Sequence, residues 1–311
     1  MGWKAYRLVY QAKSPIHIGW HTLGYIKLTR YYIPGKNMWG AFTANMTRVG
    51  EDKKIGAYED YGKEVFNKDI FISYFYPALF NKQDLQVILP QYIPKGLLYG
   101  KYNKEDFEKL FVKSYGQTAV LPESNTAEDE SLHESEFIAP VIEDERTGEQ
   151  MPVYFVGYVF MKDDTKTKDN KSIGWDDKEI SLRDIVQEIF VGGDRKYGWG
   201  RLVMDEEKTK DNGVTNLFDN ELILDEAELK VKIRSGNPIP AHLPINSDLK
   251  VKGDIEPLIG REWGEIKDNE GITHIGFGQR ISDVNICWMP GSVLLNQEDL
   301  RFDAYGILKK D

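Results

Sequence analysis

Glycines, cations and aromatic residues are concentrated between Val191 and Leu202. The segment holds four glycines (Gly192, Gly193, Gly198, Gly200), three cations (Arg195, Lys196, Arg201) and two aromatic residues (Tyr197, Trp199). Glycines at this density permit positive φ angles and let backbone N–H groups approach a phosphate. The cations neutralise its charge, and an aromatic ring can stack on a base. We therefore predict a polyanion site, with a tight turn whose aromatic rings pack internally as the alternative.

The elements predicted around this loop separate it from two common phosphate-binding motifs. A P-loop ends in Gly-Lys-Ser/Thr, and a dinucleotide fingerprint follows a strand and opens a helix. Here an amphipathic helix is predicted from Leu182 to Phe190, before the glycines, and a strand from Arg201 to Met204 after them. The order is reversed, so the sequence does not support dehydrogenase chemistry.

Metal and nucleophile chemistry also lack support. His133, His242 and His274 stand singly, without a partner at metal-ligand spacing, so we expect neither a metal nor a cofactor. The single cysteine, Cys287, lies in an apolar stretch and excludes both an internal disulfide and a cysteine-rich zinc site. The sequence contains no Gly-x-Ser-x-Gly motif, which leaves a hydrolase without support.

The charge of the chain is unevenly distributed. A net charge of −10 argues against nucleic-acid binding, because phosphates are contacted mainly by Lys and Arg. Between Glu123 and Glu149, however, ten acidic residues accompany one basic residue, Arg146, so this segment alone carries −9. We interpret residues 123–149 as an acidic insertion: a solvated loop, or a segment that faces a basic partner or keeps RNA off one surface.

The patterning predicts one folded domain over residues 1–311. Residues 3–12 alternate as a half-buried strand, and Asn37 can cap a helix that continues to about Arg48. Strands and helices interleave in both halves, which fits an α+β fold of the ferredoxin-like βαββαβ kind. The chain begins with a strand-like segment and not a leader, and no apolar run approaches eighteen residues. We therefore expect a cytoplasmic protein that does not contact a membrane.

Two segments together resemble a known family. Gly-Gly-x-Arg-x-x-Gly-x-Gly-Arg-Leu, at 192–202, resembles the signature glycine-rich loop of the RAMP superfamily of CRISPR-associated proteins. Residues 14–19 and 32–40 are similar to the first strand, loop and first helix of these proteins in type III effector complexes. Residues 256–263 and 276–278 are also similar to type III RAMP subunits, most of all to those of the III-D branch. The resemblance implies a ferredoxin-like, RNA-recognition-motif-like RAMP fold.

The resemblance implies a structural subunit that binds guide RNA (crRNA). Its partners would be other effector subunits, including the RAMP backbone and large subunits, and target RNA indirectly. In the family's target-cleaving subunits an aspartate ends a Gly-x-Ile-Asp sequence and supports metal-assisted cleavage. The matching tetrad here ends in Lys27, whose ammonium cannot bind a divalent metal, so we expect no target cleavage. The expected RNA contacts are the loop residues Gly192, Gly193, Arg195, Lys196, Tyr197, Gly198, Trp199 and Arg201, faced by Lys27, Arg30, Lys36 and Asn37.

Two other functions remain open. Endoribonucleases of the same superfamily process guide RNA without a metal, and His17, His21 and Tyr25 could supply the acid and base for such a reaction. A packed His17 and a solvent-exposed His21 are the simpler interpretation. Alternatively, the chain could be a protein–protein adaptor that docks through its acidic segment.

Overall fold

The computed structural model describes residues 2–49, 57–81, 84–119, 123–124, 126, 131–144, 147–176, 178–226, 228–245, 248–267 and 271–310. The α-helices are α1 (Gly35–Val49), α2 (Ala57–Glu64), α3 (Lys104–Phe111) and α4 (Leu182–Val186). The strands are β1 (Trp3–Ala12), β2 (Gly19–Leu23), β3 (Ile26–Thr29), β4 (Ile70–Ile72), β5 (Tyr76–Asn81), β6 (Asp84–Val87), β7 (Pro90–Ile93), β8 (Gly96–Tyr99), β9 (Tyr102–Asn103), β10 (Val112–Gln117), β11 (His133–Ile138), β12 (Val141–Glu143), β13 (Gln150–Lys162), β14 (Ile173–Gly174), β15 (Ile180–Ser181), β16 (Glu188–Phe190), β17 (Arg201–Met204), β18 (Asn216–Leu217), β19 (Asn220–Leu224), β20 (Leu229–Ile233), β21 (Leu243–Pro244), β22 (Val251–Lys252), β23 (Ile255–Leu258), β24 (Arg261–Lys267), β25 (Thr273–Ile281), β26 (Asn285–Trp288), β27 (Val293–Leu294), β28 (Glu298–Phe302) and β29 (Leu308–Lys309).

The described chain is a mixed α and β structure built around one large sheet. Its strand order is β16-β17-β1-β13-β5-β6, and β4 and β12 also pair with β13. Neighbouring strands along this path are antiparallel. The long central pair, β1 with β13, runs from Trp3 opposite Lys162 to Gln11 opposite Tyr154. Along the chain the order is β1, α1, β4 and β5, β13, α4, β17, so a strand–helix–strand unit occurs in each half.

The two faces of this sheet are buried against different layers. Alternate residues of a strand point to opposite faces, and Tyr6, Leu8 and Tyr10 of β1 pack with Phe42 of α1 in one core cluster. Trp3 and Ala5 face the other way. They belong to a second cluster with residues from β20 and β28, which lie in a five-stranded sheet of order β18-β19-β20-β28-β29. The second half of the chain therefore covers the sheet face that the helices leave open.

Helix α1 begins at Gly35, three residues earlier than a cap at Asn37 predicts. The carbonyl of Pro34 accepts hydrogen bonds from the backbone N–H groups of Asn37 and Met38, at 3.0 and 3.4 Å. Asn37 therefore lies in the first turn and is not the cap. Met38 and Phe42, four residues apart, are fully buried, as their helical spacing predicts.

The predicted helix from Leu182 to Phe190 is wrong in its second half. Ser181 caps α4, its side chain accepting from the N–H of Asp184, but the helix ends at Val186. Glu188 to Phe190 form β16, which pairs with β17 across the register Glu188 opposite Val203. Pairing along the open edge of β17 satisfies the backbone polar groups of this segment, and so overrides the helical periodicity of its side chains.

The acidic segment 123–149 is not one solvated loop. Its residues 125, 127–130, 145 and 146 lie outside the described residues. The segment contributes β11, which pairs with β10 and runs parallel to β3, and β12, which pairs with β13. Ser135 and Ile138 are fully buried in β11. Both faces of β11 are covered, because Glu134 and Glu136 are partly buried and the carboxylate of Glu136 accepts a hydrogen bond from the N–H of Thr29 at 3.2 Å.

None of the helices in the described residues is long and apolar enough to cross a membrane.

Candidate nucleic-acid interface

The glycine-rich loop is held by backbone hydrogen bonds to the segment that follows β1. The N–H of Gly193 donates to the carbonyl of His17 at 2.9 Å, and the N–H of Gly200 donates to that of Pro15 at 2.8 Å. Within the loop, the N–H of Val191 donates to the carbonyl of Gly200 at 2.9 Å. The two sequence motifs, about 170 residues apart in the chain, are therefore one structural unit.

Two of the glycines are required by close backbone contact. Gly192 has a φ of +75°, and a Cβ placed on it would lie 2.0 Å from the carbonyl oxygen of His17. Gly200 has a φ of +85°, and its Cβ would lie 2.0 Å from the carbonyl oxygen of Val191. Gly198 also has a positive φ, +83°, but its Cβ would meet nothing within 4 Å. Gly192 and Gly200 allow the loop to dock, whereas Gly198 only allows the chain to turn.

The side chains of the loop separate into exposed and anchored groups. Arg195, Lys196 and Tyr197 form a 3₁₀ turn and are exposed, with Tyr197 69% exposed. Trp199 is buried, and its ring lies edge-on to Phe137 at a centroid distance of 4.9 Å. Tyr197 is therefore available to stack on a base, whereas Trp199 anchors the loop to β11. In Arg201 the Nε atom pairs with Glu188 at 2.8 Å, so its charge is already balanced.

A groove of about 620 Å³ brings this loop next to the start of α1. Gly192 and Arg195 line one side, and Lys36 and Asn37 line the other. Further lining comes from the segment 18–21, from Tyr58 of α2, and from residues 257–261 around the end of β23. Of the residues that the sequence predicts at the site, the groove thus unites Arg30, Lys36, Asn37, Gly192 and Arg195.

The cations of the groove differ in how far their charge is compensated. Lys36 pairs with Glu262 at 2.9 Å and lies over the ring of Tyr305. Arg261 donates to the carbonyl of Gly278 at 3.3 Å, and within the described residues neither Arg261 nor Arg195 has a carboxylate at ion-pair distance. Charge-compensated cations bind an added anion weakly, so Arg195 and Arg261 are the groups best placed to bind one.

Arg30 lies at the floor of the groove in a buried network. Its Nη1 atom donates to Glu256 at 2.6 Å, and its side chain is 12% exposed. Glu256 accepts a second bond from the indole of Trp20 at 3.0 Å, and its other neighbour is the Nε2 atom of His242 at 2.5 Å. Arg30 thus forms an ion pair that ties β23 to the segment after β3, and its contact with a phosphate stays a prediction.

The pKa values in this network follow from burial and pairing. Burial raises the pKa of Glu256, but the hydrogen bonds from His242 and Arg30 outweigh it and lower the pKa to about 2. Burial lowers the pKa of His242 more than Glu256 raises it. We therefore assign a neutral His242 whose Nε2–H donates to Glu256 and whose Nδ1 accepts from the hydroxyl of Tyr74 at 2.6 Å.

Of the predicted residues on the β2–β3 hairpin, one lines the groove and two do not. Lys27 is exposed on β3, opposite Ser135 of β11, and it is not among the lining residues. Tyr25 is 54% exposed at the turn of the β2–β3 hairpin. His21 is exposed on β2 with its ring 4.4 Å from that of Trp20, and it lines the groove.

His17 is buried under the glycine-rich loop. It is 6% exposed, and its Nδ1 atom lies 2.6 Å from the carbonyl oxygen of Glu136. A Cβ on Gly193 would lie 2.9 Å from the His17 ring, so the loop covers this face of the imidazole. This geometry favours a packing role for His17 over acid–base chemistry with a substrate.

The sequence arguments missed the wall of the groove contributed by residues 256–263. Tyr58 stacks on Trp263 at a centroid distance of 5.6 Å, and burial raises the pKa of Tyr58 to about 12 against the opposing charge of Arg195. Residues 256–263 carry a family resemblance, but nothing in their pattern shows that they meet α1. Contacts of Glu256, Glu262 and Trp263 with the first half of the chain place them there.

The chain was compared with known families and structures. No family model matches the sequence, and no curated protein matches it. It is similar to a chain in the cryo-EM structure of the Type III-B Cmr-beta complex bound to cognate target RNA and AMPPnP, with 11% identity and a TM-score of 0.47. That match covers 93% of this chain and 85% of the other. A chain of Cmr-beta bound to cognate target RNA matches with 10% identity and a TM-score of 0.39, covering 64% and 96%. At this level of similarity, no functional conclusion for this chain follows from these matches.

Proposed function

We propose that this protein is a non-catalytic, guide-RNA-binding structural subunit of a type III CRISPR effector ribonucleoprotein. The observation that carries the proposal is the groove in which the glycine-rich loop meets the start of α1. It joins the two sequence motifs that resemble RAMP proteins, and it presents Arg195 and Arg261 without a carboxylate partner in the described chain. A groove lined by cations and aromatic residues suits a single-stranded backbone.

The strand order supports the proposed fold. The order β17-β1-β13-β5, with α1 and α4 packed on one face, supports our proposal of the βαββαβ arrangement of the ferredoxin-like fold. We propose that residues 1–311 are one elaborated RAMP domain, with the second half covering the other face of the sheet. The III-D subtype belongs to this proposal and is supported by the resemblance of residues 256–263 and 276–278 to III-D subunits.

The absence of target cleavage is proposed from Lys27. An ammonium at this position can hold a phosphate but cannot bind a divalent metal. Lys27 is exposed on the same hairpin as Tyr25, beside the groove, where a passing strand could contact it. The partners proposed for the chain are guide RNA and the neighbouring RAMP and large subunits.

An RNA-binding experiment tests the proposal directly. The purified protein is incubated with end-labelled repeat-containing RNA in EDTA, and the mixture is run on a native gel and on a denaturing gel. We expect bound, intact RNA. A discrete cut in EDTA would instead support the endoribonuclease alternative and direct mutagenesis to His21 and Tyr25. Failure to bind any RNA, with neighbouring subunits still bound, would favour the adaptor.

Salt dependence identifies the residues that contact phosphate. We expect Arg195→Gln and Arg261→Gln each to weaken binding and to reduce the slope of log K against log salt by about 0.7. Arg201→Gln should change the slope less, because Arg201 is already paired with Glu188. Lys232→Gln is the control, since Lys232 pairs with Glu221 in the other sheet. An unchanged slope in both groove variants would rule out this assignment.

A further inference from the structure

A second cavity lies on the opposite face of the large sheet, where the second half of the chain covers β1 only in part. Its volume is about 390 Å³, which is within the usual range for a small-molecule site. It is an open cavity lined by residues of β1, β6, β13 and the segment 210–219, and it shares no lining residue with the groove. The two features are therefore separate places on the protein.

Two cations stand side by side in this cavity. Arg7 and Lys210 form an antiparallel bridge, their backbones exchanging hydrogen bonds of 2.8 and 2.9 Å, so their side chains lie on the same face. Both line the cavity. Within the described residues, neither has a carboxylate at ion-pair distance. An adjacent pair of uncompensated cations is suited to a doubly charged oxyanion such as a phosphate monoester.

The next positions on this face supply a hydroxyl and an aromatic wall. Tyr158 lies opposite Arg7 on β13, is 5% exposed, and lines the cavity. Its hydroxyl accepts hydrogen bonds from the N–H of Phe218 at 3.1 Å and from the side chain of Arg7, and its own hydrogen can be donated to another acceptor. Phe218 is fixed edge-on to Tyr158 and Tyr76, at 5.1 and 5.4 Å. With Leu85 and Val87 it gives the cavity an apolar side.

Asp219 restricts the kind of ligand that fits. It lines the same cavity, and its charge would repel a bare anion. A carboxylate beside a cation pair suits a molecule that carries an anionic group at one end and hydroxyl or amino donors at the other. Acidic side chains accept from ribose hydroxyls in nucleotide sites in this way.

We propose that this cavity binds a phosphorylated nucleoside, with Arg7 and Lys210 on the phosphate, Asp219 on the ribose or base donors, and the base against Phe218, Leu85 and Val87. The ligand is either a free nucleotide or the 5′-phosphorylated end of an RNA strand. This inference does not depend on the guide-RNA function proposed for the groove.

Isothermal titration calorimetry with adenosine 5′-monophosphate as the probe tests the site. We expect AMP to bind more tightly than adenosine or inorganic phosphate. Arg7→Met and Lys210→Met should each weaken AMP binding about tenfold or more, because each removes a charged hydrogen bond. Thr215→Trp, at the exposed rim, should block AMP while leaving both cations in place. Lys95→Met, in an exposed turn outside the cavity, should have no effect.

The sign of one substitution distinguishes a nucleotide site from a general anion site. Asp219→Asn should weaken AMP binding but strengthen inorganic phosphate binding, because it removes an acceptor and a repulsive charge together. Comparison of a 5′-phosphorylated oligoadenylate with AMP distinguishes a free nucleotide from the 5′ end of an RNA strand as the ligand. Equal affinity for the two probes would show that the cavity also binds a strand end, whereas binding of AMP alone would show that it binds only the free nucleotide. Arg195→Gln should leave AMP binding unchanged, which separates this site from the groove. AMP binding that is absent, or that survives Arg7→Met, Lys210→Met and Thr215→Trp, would overturn the proposal.

Discussion

Alanine substitutions at Gly198 and Gly200 distinguish two reasons for a glycine in the loop. Both residues have left-handed backbone conformations, with φ of +83° and +85°. An alanine in this region costs about 1 kcal/mol in backbone strain. At Gly198 the added Cβ meets no atom within 4 Å. We therefore expect Gly198→Ala to lower the free energy of unfolding by about 1 kcal/mol and to leave RNA binding nearly intact.

Gly200→Ala adds a steric clash to the same strain. Its Cβ would lie 2.0 Å from the carbonyl oxygen of Val191, which is backbone and cannot rotate away. Relief of the clash must break the hydrogen bonds of Gly200 with Val191 and Pro15, each of which costs about 1 kcal/mol or more when left unsatisfied. The expected loss is about 3 to 5 kcal/mol, together with undocking of the loop and weaker RNA binding.

Urea unfolding followed by circular dichroism measures the two free energies, and a native gel with repeat-containing RNA measures the functional effect. Gly198→Ala is the matched control, because it has the same strain without the clash. If the two variants differed by less than about 1 kcal/mol, the loop would not be docked as described, and the argument from backbone contact would fail.

Three further predictions concern the groove and its supports. Glu256→Gln should lower the free energy of unfolding by about 3 kcal/mol, because it leaves Arg30 buried without a counter-charge. The control, Glu221→Gln in a more exposed pair, should lower it by less than about 1 kcal/mol. Equal losses for the two variants in urea titrations would contradict this prediction. The folded state keeps His242 neutral, so the unfolded chain binds the extra proton. Stability should therefore be full above pH 6.5 and fall below it by up to about 1.4 kcal/mol per pH unit, with a further loss as Glu256 protonates between about pH 4.5 and 2. His242→Gln should remove the first decline in unfolding curves recorded across this range. Trp199→Ala should destabilise the protein by about 3 kcal/mol through loss of packing on Phe137. Tyr197→Ala should leave thermal stability unchanged and weaken RNA binding by about 1 to 3 kcal/mol, because the exposed ring can stack on a base. The opposite pattern would mean that Tyr197 anchors the loop and Trp199 contacts RNA.

Local patterns along the chain determined much of the fold. The alternation of residues 3–12 predicted β1, and the apolar spacing of Met38 and Phe42 predicted α1. The four glycines among cations and aromatic residues predicted a loop at 191–202, with a polyanion site or a tight turn as its role. These features depend on neighbours within one or two turns, so the sequence displays them directly.

Tertiary structure decided which cations remain uncompensated and which segments meet. Arg30 and Arg195 look alike in sequence, yet one is paired with Glu256, 226 residues away, and the other has no carboxylate partner within the described chain. Glu188 to Phe190 have helical spacing but form a strand because the edge of β17 lies beside them. Arg7 and Lys210 become one cation pair only through an isolated bridge between β1 and the segment that follows β17. Ion pairing and edge pairing depend on distance in space, which local sequence does not encode, and they decide which residues are available to bind a ligand.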